Sequence, residues 1–211
     1  MAGFAVAALA LSAHAATLFE DFGNVSSLPG KGWVQTNNST PVGSTGWFAG
    51  STSGASFSGQ SGDFIAANFN NAGFGGNVDN WLISPDLVLT GGATLSFFTR
   101  TETADFPGDR LQVLFSSGNS SSTASFTSLL LSVSPDAQSY PDGWTLYSVA
   151  LPSVADGRFA FRYLVTDTSV AGNFIGIDTV TVAAAVPEPS TYALMALGLG
   201  ALGLVARRRR G

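Results

Sequence analysis

Three carboxylates stand where the two ends of a folded body would meet. Glu20 and Asp21 open it and Asp178 lies near its close. If the first and last strands of a sandwich run side by side, these groups converge. A carboxylate cluster without His or Cys suits Ca²⁺, a hard cation that takes six to eight oxygen ligands. Asp178 alternates in phase with Phe174, Gly176, Val180 and Val182. If buried among them, it needs a cation or hydrogen-bond donors. The alternative is a hydrogen-bonded or exposed carboxylate with no metal. A second acidic pair, Asp105 and Asp109, flanks Pro107-Gly108 and reads as a turn; its spacing matches no EF-hand.

Other chemistry is thinner. The chain has no Cys, which removes disulfides, thiolate zinc sites and thiol nucleophiles. Its single His, His14, lies in a segment expected to be removed on export. A mature protein without imidazole has no Ser-His-Asp triad, so no catalytic residue is assigned. Ser61, in Gly59-Gln60-Ser61-Gly62, lacks both the G-x-S-x-G spacing and a base. Paired carboxylates can hydrolyse glycosides, but thirteen acidic residues in the body bring some pair to the required separation by chance. Glycoside hydrolysis is therefore a remote alternative. The stretch from Gly198 to Gly203 spells G-x-G-x-x-G without the strand and βαβ context of a dinucleotide site. Of the four tryptophans, Trp33, Trp47, Trp81 and Trp144, at least three are expected in the core. Trp47, inside a Gly/Ser-rich stretch, is the candidate for an exposed sugar-stacking ring. Asn24, Asn37, Asn38 and Asn119 fit N-x-S/T by chance.

The elements that must position these groups are strands. Only 11% of the 211 residues are charged, and 25 are Gly. Apolar residues alternate over 93–100, 110–116, 144–151 and 157–166, with shorter runs at 18–22, 63–69, 80–83 and 129–133 and a closing run at 173–182. Turn residues separate them at 84–86, 90–92, 106–109, 141–143 and 155–157. About ten strands in roughly 170 residues predict an all-β fold, a jelly-roll-type antiparallel β-sandwich. Residues 36–62 hold six Gly, eleven Ser or Thr and no charge, and read as a long loop pinned by Trp47-Phe48. The body carries 13 acidic and 5 basic residues, a net charge of −8, which argues against nucleic acid as a partner.

The two ends differ from this body. Residues 1–15 read as a signal peptide: an apolar run leads to Ala13-His14-Ala15, a small-x-small cleavage site. No Lys or Arg precedes that run, so the true start is expected upstream. At the other end, Val186-Pro187-Glu188-Pro189-Ser190 precedes an uncharged apolar stretch in 191–206 and a basic tail in 207–211. Arg207, Arg208, Arg209 and Arg210 would stop the helix in the membrane with its basic end in the cytoplasm. This trio resembles the PEP-CTERM sorting signal of Gram-negative bacteria. The resemblance implies an exported protein, tethered briefly in the inner membrane by a single transmembrane helix. An exosortase would then cut near Pro187-Glu188-Pro189.

The body, 16–185, resembles the choice-of-anchor J domain, related to cleaved-adhesin and MAM-like jelly rolls. The resemblance rests on Phe19-Glu20-Asp21-Phe22, Trp33, Trp47, Asn80-Trp81-Leu82-Ile83-Ser84-Pro85, the strand at 95–98, Leu111-Gln112-Val113, Trp144 and Gly176-Ile177-Asp178. It implies a β-sandwich exposed on the cell surface or in the extracellular matrix. Together the two resemblances point to a non-catalytic protein of adhesion or biofilm structure, with exopolysaccharide or other surface glycans as partners. The alternative is a calcium-dependent carbohydrate-binding module, in which Glu20, Asp21 and Asp178 hold a structural Ca²⁺ and Trp47 stacks on sugar.

Overall fold

Alternation of apolar and polar residues decides which side of each strand is dry. The computed structural model describes residues 16–50, 57, 63–102, 107–184, 195 and 198–199. Among them the chain forms β1 (Ala16–Glu20), β2 (Val34–Asn37), β3 (Thr40–Val42), β4 (Phe48–Ala49), β5 (Ile65–Asn68), β6 (Ala72–Ile83), β7 (Leu87–Leu89), β8 (Ala93–Arg100), β9 (Arg110–Ser117), β10 (Ser128–Val133), β11 (Thr145–Leu151), β12 (Val154–Val165) and β13 (Phe174–Ala184). One sheet runs β11-β8-β13-β5-β4, with β1 also on β13. The other runs β10-β9-β12-β6-β2, with β3 on β6 and β7 on β12. The pairings are antiparallel. This is a two-sheet antiparallel sandwich, as the alternation predicts.

The inner faces make one core. Leu95 and Phe97 of β8 meet Leu111, Val113 and Phe115 of β9 and Phe159, Phe161 and Tyr163 of β12. Phe161 is the hub: its ring lies edge-on to Phe97 at 4.8 Å and to Phe159 at 5.4 Å. Trp33 closes one side, edge-on to Phe159 at 5.9 Å. Burying each such side chain contributes roughly 1.5–3 kcal/mol.

Several expectations are corrected. Residues 155–157 are not a turn but the irregular start of β12, where pairing with β7 slips between Val154 and Gly157. Glycine is needed there because a Cβ would stand 2.5 Å from the Phe115 ring. The stretch 36–62 is less of a loop than expected: β3 and β4 lie within it, and β2 runs into its start. Asp178 does not share a face with Val180 and Val182. The register of β13 against β8 shifts between Asp178 and Thr181, and Thr179 has φ +51°. Ile175, Ile177, Val180 and Val182 therefore all reach the inner core, while Asp178 turns outward with Phe174 and Gly176.

The signal-segment residues Ala13 and Ala15, the motif residues 186–190 and Arg207–Arg210 lie outside the described residues. Among the described residues no helix is long and apolar enough to cross a membrane. Truncating Phe161 to Ala should destabilise the protein by about 3–5 kcal/mol, the usual cost of emptying a large aromatic site. A fall in the urea midpoint, followed by tryptophan fluorescence, measures it.

Candidate functional site

The expected carboxylates sit at one junction but in different settings. β1 and β5 address the same edge of β13, β5 at Phe174–Ile177 and β1 at Val180–Ala183. Glu20 ends β1 opposite Val180, and Asp178 fills the gap between the two pairings. Glu20 is buried; it accepts the Phe22 N–H at 3.1 Å and faces the Lys31 ammonium, 3.0 Å from each oxygen. Lys31 is delivered by the 3₁₀ turn Val25–Lys31 and is itself half exposed. Asp178 is wholly buried; Oδ2 accepts the Phe57 N–H at 2.8 Å and Oδ1 the Thr179 hydroxyl at 3.1 Å. Asp21 is exposed and accepts the N–H of Gly23 at 3.1 Å. Among the described residues no group of three or more acidic or imidazole side chains could hold a metal. Glu20 points to the inner face with Leu18 and Val180, Asp178 to the outer face and Asp21 to its own loop, so the fold does not bring the three carboxylates together.

Trp47 is only 5% exposed and belongs to the inner core with Trp33. Its ring is not available for stacking on a ligand. A short strand pairing, Phe48 with Ala66, draws it inward. Trp144 is the least buried of the four tryptophans. It lies on the outer face of the first sheet, edge-on to Phe64 at 5.4 Å and beneath the Arg100 guanidinium at 5.9 Å.

A second place escaped the sequence reading: one end of the sandwich, where segments 40–46, 68–77 and 166–173 meet. Its foundation is Asp109. This buried carboxylate accepts the Tyr163 hydroxyl at 2.6 Å and the Asn173 N–H at 3.0 Å. Asn173 in turn accepts the Phe69 N–H on its carbonyl, and Gly172 donates to Pro107. Above this floor Phe69 and residues 168–173 line a groove of about 320 Å³. Next to it Phe74 points into solvent, 89% exposed. The signal was present in the sequence, an aromatic set in Gly73-Phe74-Gly75-Gly76 within an uncharged run.

Comparison with known proteins bears on this arrangement. A family model described as the Cleaved Adhesin Domain matches residues 16–182, most of the chain. The chain belongs to the cleaved adhesin domain family. A second model, the PEP-CTERM protein-sorting motif, matches residues 185–210. Among solved structures, the K1 cleaved adhesin domain of Lys-gingipain from Porphyromonas gingivalis is similar at 26% identity, with TM-score 0.61 over 80% of this chain and 98% of that one. The K3 domain of the same protein is similar in fold at 24% identity, with TM-score 0.60 over 81% and 99%. No curated protein matches the chain.

In this cleaved adhesin domain the Asp109 floor has a pH signature. Burial pushes its carboxyl above the ordinary value, against the opposing pull of donors from Tyr163, Asn173 and Phe174. Burial likewise pushes the Tyr163 and Tyr140 hydroxyls well up, so both stay protonated donors. A carboxyl raised in the folded state stabilises it fully below the unfolded value, about pH 4. That contribution is lost as pH rises through the folded value. Asp109→Asn keeps the acceptor oxygen and removes the titration. Its stability relative to the parent should therefore climb from acid to neutral pH, measured by urea denaturation across that range.

Proposed function

We propose that this protein is an exported, non-catalytic surface or matrix protein that serves adhesion or exopolysaccharide association. The single observation that carries the reading is the join between body and tail. The last strand, β13, ends at Ala184, and the sorting-motif match begins at residue 185. Among the described residues the strands of the sandwich end before the tail begins, so under this reading the tail can be cut without unravelling the fold. Under this reading residues 1–15 are a signal peptide cut after Ala15, 16–185 the adhesin body and 186–211 the sorting signal. Residues 186–190 present the processing motif, 191–206 span the inner membrane and Arg207–Arg210 stop transfer. An exosortase then releases or transfers the body to the cell surface.

Mass spectrometry of protein recovered from a host with an exosortase should show both ends missing. Replacing Pro187 and Glu188 with Ala should leave the full tail attached and the protein in the membrane fraction. Recovery of an intact tail from the unaltered protein in that host would end the reading.

A calcium-dependent carbohydrate-binding module is the second reading. It is favoured by Glu20, a buried carboxylate whose cationic partner Lys31 is half exposed. A calcium ion would have to take the place of Lys31 at Glu20. If it does, excess calcium raises the melting temperature and EDTA reverses the rise. Identical melting curves in calcium and in EDTA would remove this reading and leave the first intact.

A further inference from the structure

We propose that the loop end of the sandwich docks a neutral polysaccharide chain, with Phe74 as the ring on which a sugar stacks. The inference deepens the adhesion reading and rests on it only for where the polymer is met.

Phe74 is exposed on a backbone that is held, not frayed. Thr168 grips this irregular start of β6 three times. Its hydroxyl donates to the Gly73 carbonyl at 2.7 Å and accepts the Gly76 N–H at 3.2 Å, and its own N–H donates to the Gly76 carbonyl at 2.9 Å. From the other side, Thr40 pairs with Asn77. The fit is tight: a Cβ on Gly73 would stand 2.9 Å from Pro41 Cγ, and one on Gly76 2.6 Å from the Thr40 carbonyl oxygen. Two segments distant in sequence thus close on glycines and leave the ring between them in water. A large exposed aromatic on a rigid pedestal loses little freedom on binding, which is how anchors gain affinity.

The surroundings select the ligand. Val42, paired with Ala72, and Phe69 and Val170, on the groove, are also exposed at this end and offer apolar surface. Asn70, Asn77 and Ser169 are exposed among them, offering amide and hydroxyl groups. The three segments contain one charged residue, Asp167, and its carboxylate is occupied by the Ser169 N–H and hydroxyl at 2.8 and 2.6 Å. No basic side chain comes from these segments, and the body carries net charge −8, so anionic polymers and anionic lipid surfaces are repelled. A neutral sugar chain matches all of this: its apolar ring faces stack on an aromatic and its hydroxyls meet uncharged donors and acceptors. The groove of about 320 Å³ is at the lower end of ligand-pocket sizes, roughly 300–1,000 Å³.

The test is affinity electrophoresis of the purified protein in native gels containing dextran, xylan, galactan or β-1,3-glucan. Polygalacturonate serves as the anionic counterpart, and flotation with phosphatidylcholine vesicles as the lipid arm. At least one neutral polymer should retard the protein. Phe74→Ala should weaken that retardation about tenfold or more, as loss of an anchor aromatic does. Phe74→Tyr should retain it, and Val88→Ala, an exposed apolar residue on β7, should change nothing. Because Phe74 is solvent-exposed, these variants should keep the parental urea midpoint. The proposal falls if no neutral polymer retards the protein, if Phe74→Ala binds like the parent, or if polygalacturonate or the vesicles bind instead in a Phe74-dependent way. Such a failure leaves the processing of both ends unaffected, so export and glycan docking are judged separately.

Discussion

The last strand must satisfy three partners, and the molecule is arranged around that demand. β13 pairs with β8 along one edge and with β5 and then β1 along the other. The irregularity at Asp178–Thr179 lets both halves of the strand keep their apolar residues inward. A one-residue slip in a strand exchanges its two faces. Without the extra residue, either Ile175 and Ile177 or Val180 and Val182 would face outward. The same irregularity places a carboxylate at the seam, where the Phe57 N–H and the Thr179 hydroxyl meet it. The Asp178-Thr179 step is thus a register device as well as a polar site.

The end of the sandwich follows a related logic at smaller scale. Segments 107–110, 134–144 and 166–173 each contribute to one buried polar cluster, in which Asp109 receives Tyr163 and Asn173 while Tyr140 meets Thr99 at 2.6 Å. Such a cluster is costly unless its donors and acceptors are matched. Once matched, it fixes where the segments above it run. The end that carries Phe74 rests on that polar foundation as well as on the hydrophobic core, which Ala72, Val78 and Ala171 join.

The interior strands β8 and β9 were legible in the sequence because their apolar residues alternate, whereas only 80–83 of the interior β6 was legible, since Gly73, Gly75 and Gly76 break the pattern of its first half. The run at 93–100 corresponds residue for residue to β8, and the runs at 110–116 and 129–133 to β9 and β10 within a residue. β2, β3, β4 and β7 were not legible, being two to four residues long and too short to show a period. Trp47 was misjudged because composition described its neighbours well and its own destination poorly; a two-residue strand was enough to bury it. The phase of Asp178 failed for a different reason, since a positive φ at Thr179 leaves no trace in an alternating pattern. Lys31 as the partner of Glu20 was invisible because eleven residues and a 3₁₀ turn separate them. Phe74 passed unnoticed because the glycines around it carry no apolar alternation, and the grip of Thr168 and Pro41 on them comes from segments distant in sequence.

The chain leaves the sandwich from an interior strand, and this has a mechanical meaning. Any pull on residues beyond Ala184 is delivered to β13 along its own axis. There it is resisted by its rungs to β8 and β1 acting in parallel. Bonds loaded side by side must yield together, while those of a strand peeled from an edge yield one at a time. A body hung from its C-terminal end in flowing water would therefore bear drag through a strand held on both sides.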